Sequence, residues 1–124
     1  MEKTILVVDD EPDIMETLGL RLQRAGYHMI SASGGEEALR KVAALHPDLI
    51  VLDLMMPSPD GMKVCQIIKS NPDFKNIPVI LLSARSPEDN QEACRISGAD
   101  AYVSKPYSAE ELLDEIRRLL KLRN

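Results

Sequence analysis

The sequence predicts an α/β fold, a doubly wound parallel sheet of five strands with helices on both faces. Short apolar runs alternate with longer amphipathic segments five times along the chain. Each such unit returns the chain to the same edge of the sheet, so the strands should lie parallel. The 124 residues are 44% hydrophobic, which is enough for one aliphatic core.

The predicted strands are short runs rich in Val, Ile and Leu. Strands of a parallel sheet are covered on both faces, so they are apolar throughout rather than alternating with polar residues. The runs lie at residues 4–8, 28–32, 48–52, 77–82 and 101–104.

The segments between these runs carry helix-boundary signals. A serine three residues before a glutamate is the spacing of a capping box, and a serine before a proline is a typical helix start. Glycine often follows the last turn, and proline cannot continue a helix. The starts are predicted at Ser33 with Glu36, Ser86 with Pro87, and Ser108 with Glu111, and the ends at Gly26, Pro47, Pro72 and Gly98.

The charge and the cysteines exclude several classes of function. Fifteen basic and twenty acidic residues give a net charge of -5, which opposes direct binding to nucleic acid. Cys65 and Cys94 form no metal-binding pair and are expected to be buried free thiols of a reducing compartment. Neither a signal peptide nor a membrane-spanning run is evident, so we expect a soluble, cytoplasmic protein.

Chemically active residues follow four of the predicted strands. Open parallel sheets bind ligands beyond the carboxyl ends of their strands. Asp9 and Asp10 follow the first run and Asp53 the third, while Ser83 and Lys105 follow the fourth and fifth. The sequence therefore predicts three carboxylates, a hydroxyl and an ammonium group at one edge of the sheet.

Three carboxylates in one cleft repel each other unless a cation neutralises them. Lys105 supplies one positive charge, and a divalent metal would supply the rest. Oxygen ligands without histidine or cysteine favour Mg²⁺ over zinc. Mg²⁺ usually keeps positions for water and a phosphate oxygen, which leaves room for a phosphoryl group.

With these residues at its strand ends, the sequence resembles the response-regulator receiver domains of two-component signalling. The residues that carry the resemblance are Asp9-Asp10, Asp53-Leu54-Met55-Met56-Pro57, Ser83-Ala84 and Lys105-Pro106, in the family's order. Each motif is weak alone, but their combination at strand ends is specific. The resemblance covers essentially the whole chain and implies a single receiver domain over residues 1–124, with a flavodoxin-like (βα)5 fold and strand order 2-1-3-4-5.

The resemblance also implies roles for individual residues. Asp53 would be the phosphoacceptor, modified by a sensor histidine kinase or a histidine phosphotransfer protein. Asp10 and Asp53 would bind Mg²⁺ directly, Asp9 mainly through water, and the Met55 carbonyl would complete the protein ligands. Lys105 would pair with the phosphoryl oxygens. The protein would be a signalling phosphoacceptor with slow autodephosphorylation, not an enzyme.

The same resemblance implies a conformational switch. Ser83 would bond to the phosphoryl group, Tyr102 would turn inward, and the fourth helix, fifth strand and fifth helix would present a changed surface to an output partner or domain. Pro106 is a candidate for the family's cis peptide bond. A phosphorylation-dependent homodimer stays open, although Ala101 replaces an aspartate that the winged-helix regulators use for dimer salt bridges.

Other interpretations were weighed against this one. Each aspartate alone could cap a helix, and Ser83, Tyr102 or Lys105 alone could be an ordinary surface or packing residue. A haloacid-dehalogenase-type phosphatase would need an aspartate at Met55, and a dinucleotide-binding turn would need glycines at positions 9–11. A docking receiver that works without phosphorylation remains the alternative, although it would usually have lost one of the acidic or lysine residues.

Overall fold

A computed structural model of the chain describes residues 2–56 and 60–123. Strands and helices alternate through these residues, as predicted. The order is β1 Thr4–Val8, α1 Pro12–Arg24, β2 His28–Ala32, α2 Gly35–Leu45, β3 Leu49–Asp53, α3 Gly61–Ser70, β4 Val79–Ser83, α4 Pro87–Ser97, β5 Ala101–Ser104 and α5 Ala109–Arg123.

The strands form a parallel sheet in the order β2-β1-β3-β4-β5, which confirms the predicted fold class and topology. β1 and β3 are neighbours at the centre, with Val8 opposite Leu52. Strand order reverses beside β1, and the residues that follow β1 and end β3 therefore meet at the edge where such sheets bind ligands.

Two aliphatic cores cover the two faces of the sheet. One joins β1, β3 and β4 to α2, α3 and α4 through residues such as Val42, Val64 and Ile68. The other joins the opposite faces of the same strands to α1 and α5 through residues such as Leu22 and Ile116. Because both faces are covered, β3 and β4 are buried along their whole length.

Two strands have boundaries that differ from the prediction. β3 begins at Leu49, and Asp48 just before it binds Thr4 twice, because its N–H donates to the Thr4 carbonyl at 2.8 Å and its carboxylate accepts from the Thr4 N–H at 2.7 Å. β4 begins at Val79, since Pro78 has no N–H to donate to a neighbouring strand. Both strands also end one residue later than predicted, so Asp53 and Ser83 are the last residues of their strands rather than the first residues beyond them.

Two predicted helix starts are confirmed. Ser86 is the N-cap of α4, and its side chain accepts from the Asp89 N–H at 3.1 Å, with Pro87 in the first turn. The Ser108 hydroxyl likewise accepts from the Glu111 N–H at 3.1 Å before α5. These bonds satisfy N–H groups that lack a partner in the first turn of a helix.

The predicted capping box of Ser33 with Glu36 is wrong. Gly34 is the N-cap of α2 and makes no side-chain cap bond. Instead Glu37 reaches back one residue further, and its carboxylate accepts from both the Ser33 N–H at 2.9 Å and the Ser33 hydroxyl at 3.1 Å. The glutamates at positions 36 and 37 offer similar spacings, and helix phase selects the second.

The helix ends follow their predicted signals. Gly26 and Gly98 have φ angles of 91° and 83°, the left-handed conformation that glycine tolerates. His46, with φ of 45°, ends α2 in the same way before Pro47, which the sequence did not indicate. α3 ends before Pro72, and in the described part of the chain no helix is both long and apolar enough to cross a membrane.

The cysteines are unpaired thiols, as predicted. Cys65 on α3 is buried, and burial raises its pKa to about 11. Cys94 on α4 is only half-buried, and burial raises its pKa as well. Both groups therefore stay protonated and weakly nucleophilic near neutral pH.

Candidate functional site

The sheet brings together the three carboxylates that the sequence singled out. Asp9 and Asp10 follow β1 and Asp53 ends β3, and one oxygen from each lies within 4.8 Å of the others. Asp9 and Asp53 are each only 2% exposed, whereas Asp10 is exposed. Two of the three carboxylates are thus buried, and the third, that of Asp10, is exposed to solvent.

The Asp9 carboxylate is only half satisfied by the protein. Its Oδ1 accepts from the Glu11 N–H at 3.0 Å, while its Oδ2 is buried without a hydrogen-bond partner. Burial raises the pKa of Asp9, and the charge of Asp53 adds to the rise, against the opposing effects of the Glu11 N–H and Lys105. The ionised form of Asp9 is therefore costly unless a further cation is present.

The Asp53 carboxylate is held by two donors. Its Oδ1 accepts from the Met55 N–H at 3.0 Å, and its Oδ2 lies 3.2 Å from the Lys105 ammonium nitrogen. Lys105 reaches the site from the end of β5, where its own N–H donates to the Ser83 carbonyl at 2.8 Å. The Lys105-Pro106 peptide bond is cis.

The donor set fits a hard divalent cation. The cluster offers carboxylate oxygens, one of them buried and unpartnered, and one nearby lysine cannot balance three negative charges. Neither ring nitrogen nor thiolate sulfur belongs to the cluster, which suits Mg²⁺ better than a transition metal.

Ser83 and Tyr102 lie close to the cluster in the fold but do not bond to it. Ser83 is fully buried, and its hydroxyl accepts from the Arg85 N–H at 3.1 Å within its own loop. Tyr102 lies on β5 opposite Leu81, half-buried against the core that α2, α3 and α4 share. Ser83 directly precedes the loop between β4 and α4.

Comparisons with known proteins agree with this geometry. The family model described as "Response regulator receiver domain" matches residues 5–117. The chain belongs to the response-regulator receiver family. The receiver is 42% identical over 113 residues to the protein PilG of Pseudomonas aeruginosa, covering 91% of this chain and 84% of that protein.

Longer relatives match over their receiver portions only. The chain is 41% identical to the alkaline phosphatase synthesis transcriptional regulatory protein PhoP of Bacillus subtilis, covering 98% of this chain and 50% of that protein. The chain thus spans about half the length of most of the curated relatives it matches.

A solved structure shows a metal in a related cleft. The receiver domain of the sensor histidine kinase PA1611 from Pseudomonas aeruginosa superposes with a TM-score of 0.87 at 26% identity, covering 98% of this chain and 99% of that one. That structure has a magnesium ion coordinated in its active-site cleft. Receiver domains bind Mg²⁺ in their active site, and an acidic cluster is present in this chain.

Gly61 contributes to the site in a way that the sequence analysis missed. A Cβ atom at this position would lie 2.5 Å from the Asp53 carbonyl oxygen and 2.8 Å from the Leu54 Cα atom. The first turn of α3 therefore packs directly on the backbone that carries the central carboxylate. The only sequence signal is a glycine directly after Asp60, which caps the helix by accepting from the Lys63 N–H at 2.9 Å.

Tyr107 was also missed. Burial raises the pKa of its phenol, and the negative charges of Asp9, Asp53 and Glu11 raise it further. Together with Lys105 it lines a largely apolar groove of about 610 Å³ beside the acidic cluster. A phenol in this position offers the groove a neutral hydrogen-bond donor at neutral pH.

Proposed function

We propose that this receiver accepts a phosphoryl group on Asp53 and uses it to switch a surface that controls an output partner. The receiver fold assigns the chain to two-component signalling. The observation that carries the finer proposal is the position of Asp53, a buried carboxylate held between the Lys105 ammonium group and two further carboxylates. That arrangement orients a nucleophile and supplies charge for a phosphoryl group.

The phosphodonor would be the phosphohistidine of a sensor histidine kinase or a histidine phosphotransfer protein. An Asp53 carboxylate oxygen attacks phosphorus, the phosphorus–nitrogen bond breaks, and the electron pair returns to the imidazole, which retains one proton. Lys105, already 3.2 Å from Asp53 Oδ2, then pairs with a phosphoryl oxygen as a point charge.

Mg²⁺ would neutralise the carboxylates and the incoming phosphoryl oxygens. Asp10, Asp53 and the Met55 carbonyl would hold the ion directly, and Asp9 mainly through water. The buried, unpartnered Oδ2 of Asp9 supports this assignment, because such an oxygen needs a donor or a cation-bound water. The protein's own contribution is to orient Asp53 through the Met55 N–H.

The groove beside the site suits a docking helix of the donor. Its walls include Ile14 and Leu18 of α1, Ala84 after β4, and Pro106 and Tyr107 after β5. The small side chain of Ala84 leaves the approach to Asp53 open. A largely apolar wall of this kind is suited to an amphipathic helix that presents a phosphohistidine.

The switch is proposed to act through Ser83 and Tyr102. Ser83 would donate its hydroxyl hydrogen to a phosphoryl oxygen while still accepting from the Arg85 N–H, which would displace the loop before α4 and let Tyr102 turn inward. The changed surface of α4, β5 and α5 would meet the output partner or drive formation of a homodimer. With a net charge of -5, the chain itself is not proposed to contact nucleic acid.

Intact-mass measurement after incubation with acetyl phosphate tests the phosphoacceptor. We expect one phosphoryl adduct on the wild type, dependent on Mg²⁺ and absent from Asp53→Asn. The matched control is Asp60→Asn, which removes a carboxylate from the N-cap of α3 and should leave the adduct unchanged. A wild type that stays unmodified, both with acetyl phosphate and with a phosphorylated histidine kinase, would contradict the proposal and favour a docking receiver.

A further inference from the structure

The buried face of α4 is unusually polar for a helix packed on a sheet. Its buried residues are Asn90, Ala93 and Ser97. By contrast the opposite face of the sheet is covered by α5 with buried leucines and isoleucine, including Leu112 and Ile116. Since buried apolar area provides most of the free energy that attaches a helix, α4 is held more weakly than α5 and more by its polar contacts.

Asn90 makes the central polar contacts of that face. It is fully buried, and its side-chain nitrogen donates to the Arg85 carbonyl at 3.2 Å and to the Ser104 hydroxyl at 3.3 Å. The first bond ties α4 to the loop that follows β4. The second ties it to the end of β5, next to Lys105.

These bonds extend a series of hydrogen bonds that links Ser83 to Asn90 through Arg85, in the loop between β4 and α4. The Arg85 N–H donates to the Ser83 hydroxyl at 3.1 Å, and the Arg85 carbonyl accepts from Asn90. Both backbone groups of Arg85 are therefore held, one by the predicted switch hydroxyl and the other by α4. A displacement of Ser83 toward Asp53 must move Arg85 and so must act on Asn90.

The other amide atom of Asn90 lacks a partner. Its Oδ1 is buried without a hydrogen bond, which is unfavourable relative to a satisfied carbonyl. A conformation of α4 in which Oδ1 gains a donor would recover part of that cost.

We infer that Asn90 is the positioning residue that transmits the position of Ser83 to α4. Through its bond to the Arg85 carbonyl, the buried amide moves the helix when the phosphoryl group draws Ser83 toward Asp53. This inference rests on the proposed function, because it describes how phosphorylation of Asp53 reaches the output surface.

The test compares phosphorylation of Asp53 with the change in hydrogen exchange of α4 in the same variants. Asn90→Leu has a similar volume and removes both donor bonds, whereas Ser104→Ala removes only the bond to β5 and serves as the matched control. Intact mass after acetyl phosphate reports the Asp53 adduct. Hydrogen–deuterium exchange of residues 87–97, with and without beryllium fluoride and Mg²⁺, reports the response of α4.

We expect Asn90→Leu to reach the wild-type extent of phosphorylation but to lose the change in α4 exchange. Ser104→Ala should keep both, because its Asn90 still binds the Arg85 carbonyl. An α4 response in Asn90→Leu equal to that of the wild type overturns the inference. A wild type without adduct instead contradicts the proposed function, and mass alone shows this before any exchange is measured.

A second measurement needs no variant of Asn90. It tests the role of Asn90 even if Asn90→Leu does not fold. In the wild type, NMR follows the Asn90 side-chain amide and the Arg85 backbone amide as beryllium fluoride and Mg²⁺ are added. Both signals should shift together. A shifted Arg85 signal with an unchanged Asn90 side-chain signal overturns the inference.

Discussion

Replacing Gly61 with alanine should destabilise the receiver, although alanine is the better helix former. The added Cβ would lie 2.5 Å from the Asp53 carbonyl oxygen, whereas real Cβ contacts do not fall below 3.0 Å. The first turn of α3 or the end of β3 must therefore move by at least 0.5 Å, the difference between those distances. Neither can move freely, because the obstructing atoms belong to the backbone of a central, buried strand.

Overpacking of this kind typically costs about 1–3 kcal/mol, while the gain from replacing a helical glycine is about 0.5–1 kcal/mol. The net free energy of unfolding should fall by about 1–2 kcal/mol. Urea unfolding followed by circular dichroism should show a midpoint lower by roughly 1 M, with an unchanged slope. The Asp53 adduct with acetyl phosphate should also form more slowly, because the displaced backbone carries the nucleophile.

Gly19→Ala is the matched control. This glycine also lies within a helix, but its Cβ would meet only the Met29 side chain, with Sδ at 3.4 Å and Cε at 3.7 Å, which are ordinary van der Waals contacts. It should raise the free energy of unfolding by up to about 1 kcal/mol. The reasoning is refuted if Gly61→Ala matches Gly19→Ala in stability, because helix propensity would then outweigh the close contact.

Asp9→Asn should stabilise the metal-free receiver at neutral pH, because it removes a carboxylate whose pKa is raised by burial and by Asp53. A raised pKa means that folding favours the protonated form of Asp9, so the gain in stability should shrink as the pH falls through that pKa. Mg²⁺ should raise the thermal midpoint of the variant less than that of the wild type. Equal shifts of the two midpoints with Mg²⁺ would contradict a role of Asp9 in metal binding. Lys69→Met should lower the free energy of unfolding by about 2 kcal/mol, measured by urea titration, because its ammonium group lies 2.7 Å from Asp100 and 2.7 Å from the Ile77 carbonyl while only 13% of its side chain is exposed. An unchanged midpoint would show that this network contributes nothing to stability.

The sequence determined the fold class because local patterns and sheet geometry act together. Apolar runs separated by capped amphipathic segments allow few arrangements other than a parallel sheet with helices on both faces. The residues at the strand ends followed from the same pattern. Asp53 and Lys105 are 52 residues apart along the chain, yet the carboxyl ends of parallel strands bring them to 3.2 Å.

Details that depend on helix phase or on exact boundaries were not determined in this way. Glu36 and Glu37 are similar in pattern, and Glu37 binds Ser33 in a structure where the N-cap of α2 is Gly34, one residue after Ser33. Likewise the strand pattern could not show that Asp53 belongs to β3 itself, because that depends on which neighbouring residues donate hydrogen bonds.

The tertiary structure alone decided which small or polar residues support the site. Gly61 matters because a helix packs on the Asp53 backbone, and Asn90 because its amide lies between Arg85 and Ser104. Neither contact leaves a periodic signal, since each depends on a few atoms of one residue and not on a repeated pattern. The sequence by itself thus determined the sheet and the charged residues at its edge. Close packing in the tertiary structure determined which other residues contact the site and the loop beside it.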